Sequence, residues 1–252
     1  MTWLTPKFPR RAPDVQVEED DRSHRVLPLH DDLPTRRIPY ITILLVAANV
    51  AAFAWQVTVA GMERSVLEGG VIPYEILTLQ DTWPRDLLPP PFTILTAMFL
   101  HGGLGHLGSN LLFLWIFGNN VEDVMGRLRF AGFYLACGVA AAGVQVFASA
   151  AAGNVEAPMV GASGAIAGVL AAYLRLFPGA RVLTLAFVFL VWLPAWLVLG
   201  LWILTQIVAV LSGGAPGVAL FAHIGGFATG WVLVDRFLPP RLRRDSGLPP
   251  RP

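Results

Sequence analysis

Charge is scarce in this 252-residue chain: Asp, Glu, Lys and Arg make up only 14% of it, and 55% is hydrophobic. A typical soluble domain carries about 25% charged residues. With a mean hydropathy of +0.59, the shortage excludes an ordinary soluble globule and points to a multi-span membrane protein. Cysteine is nearly missing as well. The single Cys137 cannot close an internal disulfide, and its place in an apolar run reads as a small packing residue. No excess of either sign exists, since 18 basic residues face 17 acidic ones, so nothing points to nucleic acid. Residues 1–37 contain no apolar core segment, and no signal peptide is expected there. Carboxylates are also missing from the apolar body of every long hydrophobic run.

What is present is a succession of apolar runs with sparse polar punctuation. Residues 1–39 read as a polar N-terminal tail, basic at Lys7, Arg10 and Arg11, acidic from Glu18 to Asp21, and basic again at Arg36 and Arg37. Low hydrophobicity gives this stretch no core of its own, and it is assigned no function. A first span of twenty residues covers about Ile41 to Ala60, enough for roughly 30 Å of hydrocarbon. The 31-residue connection from Gly61 to Pro91 ends in three prolines, and loops of that length are often functional. Further apolar segments cover Phe92–Gly118, Phe130–Ala152, Met159–Phe177, Val182–Leu211 and about Val218–Leu238. The thirty residues from Val182 include Pro194 and read as one long tilted or kinked span, or as a short re-entrant piece followed by a span. Residues 239–252 form a basic tail.

Charge decides how many of these segments cross. Six crossings put the two tails and the second and fourth connections on one side, with 16 of the 18 basic residues; only Arg64 and Arg85 fall on the other. A seventh crossing would carry five C-terminal arginines outside, against the positive-inside rule. The sequence therefore predicts an all-α membrane protein. Its domain is a bundle of six transmembrane helices over residues 40–238, with a long first loop and both termini cytoplasmic.

Polar side chains inside spans are costly and are functional hypotheses by default. Five stand out: His101, His106, Asn110, Ser163 and His223. Singly, each has an ordinary explanation. A histidine or asparagine can bond across helices, and Gly161, Gly164 and Gly168 around Ser163 fit small-residue packing. Their common depth says more. Ser163 lies about four residues into its run and His223 about five into its own, so both fall roughly 6–8 Å below the outer boundary. His101 and His106 reach the same half of the bilayer, and His106 and Asn110 share one helix face. Gly164-x-x-x-Gly168 and Gly226-x-x-x-Gly230 would let two spans approach until a serine meets a histidine. Without an intramembrane carboxylate, any hydrolase here works as a Ser-His dyad rather than a triad.

With those residues in place, the chain resembles the rhomboid intramembrane serine proteases. The pattern H-x-x-x-x-H-x-x-x-N stands as His101, His106 and Asn110, and G-x-S-G as Gly161 to Gly164. A-H-x-G-G-x-x-x-G stands as Ala222, His223, Gly225, Gly226 and Gly230, and E-x-x-x-G-x-x-R as Glu122, Gly126 and Arg129. The resemblance covers roughly residues 40–238. It implies that Ser163 is the nucleophile and His223 its general base. It further implies an oxyanion held by the Ser163 N–H, His106 and Asn110, with His101 organising that pocket or retaining water. Glu122 and Arg129 become structural ties, the first loop a hairpin partly in the outer leaflet, and the fifth segment the gate for a substrate helix.

The same resemblance implies transmembrane protein substrates, the lipid bilayer as surroundings, no cofactor and no metal, and the plasma (inner) membrane of a prokaryote. It leaves the oligomeric state open. One departure is Ala167, where several members carry an aromatic beneath the histidine; Phe221 or Phe227 are the alternatives. Another is Trp83-Pro84-Arg85, which only loosely echoes a Trp-Arg pair of the first loop. Two competing readings remain: an inert, client-binding relative, and a transporter or zinc site on His101, His106 and His223.

Overall fold

The computed structural model describes residues 26–82, 88–213 and 218–245. Trp83-Pro84-Arg85 and the charges of residues 1–25 lie outside the described residues. Strand β1 (Val26–Asp31) precedes α1 (Tyr40–Trp55), which runs on as a π-helical turn, Gln56–Ala60. The first connection carries α2 (Met62–Gly69) and α3 (Pro73–Thr78), and α4 (Pro90–Ala97) follows. Prolines open α3 and α4, where the missing N–H has no partner to lose. The chain breaks after α4. Helix α5 (Leu104–Phe113), a π turn (Leu114–Gly118) and α6 (Asn119–Met125) then make one continuous path. Gly126, at φ 81°, turns the chain into α7 (Arg127–Ala151). Next come α8 (Ser163–Leu176), β2 (Arg181–Ala186), β3 (Phe189–Pro194), α9 (Ala195–Leu211), α10 (Leu220–Phe237) and α11 (Pro240–Asp245). Tyr40–Ala60 and Arg127–Ala151 are long and apolar enough to cross a membrane, and α8 and α9 are shorter apolar helices.

The chain is mostly helical, but the expectation of an all-α fold needs correction. Pro178-Gly179 stops α8, and the next residues are rich in Val, Leu, Phe and Trp, which suit a pleated surface. They fold into an antiparallel hairpin, with β1 paired antiparallel on the other side of β2. Phe187, at φ 57°, supplies the positive φ that a two-residue hairpin turn requires. Pro194, placed by the sequence inside a span, is the last residue of β3 and caps α9. The thirty-residue run is thus a hairpin followed by a 17-residue helix. Val26–Asp31, within the stretch read as a tail, belongs to the folded structure.

Helix α8 is the centre of the packing, buried without a break from Gly164 to Tyr173. Small residues make this achievable. A Cβ added to Gly226 would run into the backbone carbonyl of Gly164, and one on Gly230 into that of Gly168. On its other side α8 meets α7: a Cβ on Gly164 would lie 2.6 Å from the Cβ of Ala141, and one on Gly168 2.5 Å from Cys137. Two buried carboxylates fasten the far end of the bundle. Glu122 accepts from the N–H of Ile41 (3.0 Å) and from the N–H and hydroxyl of Thr42 (2.8 Å each), satisfying first-turn amides of α1. Asp31 Oδ2 accepts from Asn120 Nδ2 at 2.7 Å and the Tyr173 hydroxyl at 2.6 Å, tying β1 to α6 and α8. Arg129 is exposed on α7, with no ion-pair partner among the described residues, so the tie at this corner is made by Glu122.

Candidate active site

Ser163 is the first residue of α8 rather than one sitting a turn inside it, because Gly161 and Ala162 turn the chain just before. Gly161 takes φ +127° and donates its N–H to the Ala97 carbonyl (2.8 Å). A Cβ there would sit 2.7 Å from His106 Nε2 and 3.7 Å from Ser163 Oγ, so no larger residue fits. The same measurement shows that His106 and Ser163 face one point in space. His106 Nδ1 accepts the Gly102 N–H at 3.4 Å, which leaves the proton on Nε2 and makes it a donor toward that point. Asn110, one turn further along α5, is 5% exposed, and its Nδ2 has no hydrogen-bond partner.

His223, in the first turn of α10, places Nε2 2.8 Å from Ser163 Oγ. That distance is in hydrogen-bond range, and it follows from the glycine seam just described. The aromatic that attends His223 is neither Phe221 nor Phe227 but Trp202 of α9, with ring centroids 5.8 Å apart and planes at 39°. Phe227, one turn further along α10, also packs against that indole, with ring centroids 6.4 Å apart.

His101 is fully buried and meets His106 edge to face at 5.1 Å; its Nδ1 lies 3.2 Å from the Phe99 carbonyl, and Nε2 has no partner. A small cavity of about 40 Å³ borders Ser163 on the side of Met98, Gly138 and Ala142.

Three glutamines complete the arrangement, and sequence reasoning passed over all of them. Gln206 of α9 sets Oε1 2.7 Å from His223 Nδ1. Gln145 of α7 accepts the Ala222 N–H at 3.1 Å, holding the residue next to the histidine. Gln56, in the π turn after α1, accepts the His101 N–H at 2.9 Å and donates to the His101 carbonyl at 3.3 Å. The rule that flagged the histidines, polar groups within apolar runs, flags these amides equally.

Both ring nitrogens of His223 are occupied by Ser163 and Gln206, which leaves none for a metal in this arrangement. Among the described residues no group of three or more His, Cys, Asp or Glu could hold one.

The fold and this site define a helical membrane protein with a paired serine and histidine beside two further polar donors. A rhomboid domain matches residues 90–239, more than half the chain, and the protein belongs to the rhomboid family of integral membrane proteins. It is 31% identical over 172 residues to Rhomboid protein 1, mitochondrial, of Saccharomyces cerevisiae, covering 64% of this chain and 47% of that protein. Rhomboid-type serine protease 2 of Emericella nidulans is 33% identical over 153 residues, covering 61% and 26%. RHOMBOID-like protein 4 of Arabidopsis thaliana is 36% identical over 141 residues, covering 56% and 32%. The chain thus spans half or less of the length of these relatives. They give no support to a prokaryotic plasma membrane, since the yeast relative is named as mitochondrial.

Proposed function

We propose that this chain is a serine endopeptidase acting within the bilayer on peptide bonds of transmembrane proteins. The single observation that carries the reading is the 2.8 Å approach of His223 Nε2 to Ser163 Oγ. His223 takes the serine proton as the hydroxyl attacks the scissile carbonyl, then returns it to the leaving amine. The oxyanion lies at the N-terminus of α8, where the first-turn N–H groups have no intrahelical partners. His106 Nε2–H and the unpaired Asn110 Nδ2 supply side-chain donors; elsewhere one such donor is worth about 2.7–4 kcal/mol in the transition state. His223 bonds to no carboxylate among the described residues, so the unit is a dyad.

The reading includes six crossings with both ends on the arginine-rich side, which puts the dyad in the opposite half of the bilayer. Favoured substrates are helices that unwind easily there and carry small residues at the cut, in keeping with the small cavity beside Ser163. A second reading, an inert client-binding protein, draws on relatives whose names carry no protease, such as RHOMBOID-like protein 4.

Cleavage of a generic transmembrane substrate by detergent-purified protein separates the two. Ser163→Ala and His223→Ala are each expected to lower the rate by about 10⁴-fold or more. Wild-type Ser163 is expected to react with a fluorophosphonate. Cleavage that persists in Ser163→Ala sinks the mechanism, and a folded wild type that neither cleaves nor labels leaves the inert reading.

A further inference from the structure

A Ser-His pair needs its histidine in one tautomer: Nε2 must carry the lone pair that receives the serine proton, so the hydrogen must sit on Nδ1. In a carboxylate triad an aspartate enforces this. Here no carboxylate reaches His223, yet its Nδ1 is held at 2.7 Å by Gln206 Oε1.

The amide's orientation is fixed by its own contacts. Gln206 Nε2 lies 3.4 Å from the Trp202 carbonyl, which can only accept, and 3.2 Å from Thr205 Oγ1. Thr205 gives its hydroxyl proton to that same carbonyl at 2.7 Å. The nitrogen of the amide is therefore turned away from the histidine and the oxygen turned toward it. An amide oxygen cannot donate, so the Nδ1 partner must. Trp202, one turn earlier on α9, packs its indole near the imidazole and limits the ring's rotation.

We propose that Gln206 is the positioning residue of this site, holding His223 as the Nδ1–H tautomer with Nε2 aimed at Ser163. The proposal rests on the endopeptidase reading. It differs from a triad in one physical respect. A neutral amide orients the ring but brings no charge to stabilise the imidazolium that forms. Its contribution is accordingly smaller than that of a buried aspartate, whose replacement by an amide elsewhere drops kcat by about 10⁴. Among the described residues the titratable group facing His223, besides Ser163, is His106 of α5; α7 and α9 present the neutral Gln145 and Gln206.

The test compares Gln206→Met, which keeps length and loses the acceptor, with Gln206→Glu, which keeps the acceptor and adds charge. Readouts are kcat and KM on the transmembrane substrate, the fluorophosphonate labelling rate, and the ¹⁵N shifts of the His223 ring. For Gln206→Met, kcat and the labelling rate are expected to fall together by about 10- to 100-fold, with KM within about twofold, as the ring loses its Nδ1–H preference. For Gln206→Glu, kcat is expected to be retained at alkaline pH. The acid limb of kcat/KM should rise by about one pH unit, since a neighbouring carboxylate favours the charged imidazole that cannot accept.

Unchanged kcat and ring shifts in Gln206→Met overturn the proposal, as does a change in KM alone. If Gln206→Met does not fold, an unmoved acid limb in Gln206→Glu overturns it. A wild type that neither cleaves nor labels refutes the endopeptidase reading instead. The ring shifts then still decide whether Gln206 holds the histidine.

Discussion

Helix α10 has two neighbours at the site, and they hold it by different means. Toward α8 the contact is backbone on backbone: Gly226 and Gly230 lie against the carbonyls of Gly164 and Gly168. Toward α9 it is made by long side chains, with Trp202 against both His223 and Phe227 and Gln206 on the ring nitrogen. The first seam sets where the serine and histidine stand. The second sets which way the imidazole faces. Position is thereby written into the fold, while orientation depends on two side chains of a helix whose outer face is exposed at Trp196, Leu204 and Val208. Damage to the first should cost stability and chemistry together, and damage to the second should cost chemistry more than stability.

The hardest test of that contrast is Gly226→Ala. Its new methyl has no side chain to push aside, only the Gly164 backbone, so the helices must part. A loss of about 3 kcal/mol or more is expected, with fluorophosphonate labelling abolished even in the fraction that stays folded. Thermal unfolding in detergent and labelling at low temperature measure the two effects. Normal labelling in Gly226→Ala would show that the seam is not what aligns the dyad.

A middle effect is expected at Trp202. Replacing this partly buried indole by alanine removes packing from His223, Phe113 and Phe227. About 1–3 kcal/mol of stability should go, while Trp202→Phe keeps most of it. Labelling by Trp202→Ala should slow several-fold, and by less than in Gln206→Met, since the hydrogen bond to Nδ1 survives. Slowing in Trp202→Ala with none in Gln206→Met would mean the indole, not the amide, orients the ring.

How much of this the sequence carried depends on the kind of contact. Ser163, His223 and the glycine spacings are legible because a nucleophile, a base and close-packing residues have distinct signatures at a common depth. The glutamines were passed over because an amide is neither, although burying one in an apolar run without partners is costly enough to demand an explanation. The hairpin was illegible for another reason. The run from Val182 to Pro194, apolar apart from Thr184, has no period to separate strand from helix, and its one marker, Pro194, fits a kink as well as a boundary. The strand β1 could not be foreseen, since its pairing partner lies some 150 residues away along the chain.

The smallest effect is expected for Asp31→Asn, at a residue that joins the α9 side to the core. Through β1 it ties the hairpin that leads into α9 to Tyr173 of α8 and Asn120 of α6. Burial raises the Asp31 pKa above its ordinary 3.8, opposed in part by the Tyr173 hydrogen bond. The sign follows. A carboxyl that holds its proton more tightly in the folded state contributes most stability below pH 3.8, and loses it as pH rises toward the folded value. Asp31→Asn keeps an acceptor for both donors and needs no buried charge. At pH 7 it should therefore match or exceed the wild type by up to about 1 kcal/mol. That advantage should vanish as pH falls below the unfolded value. Asp31→Ala leaves both donors unpaired and should cost about 1–3 kcal/mol. Detergent melting curves from pH 3 to 8, which bracket the unfolded value, measure the difference. An Asn variant less stable than wild type at pH 7 would show that the charge itself, not the acceptor geometry, holds this side of the molecule in place.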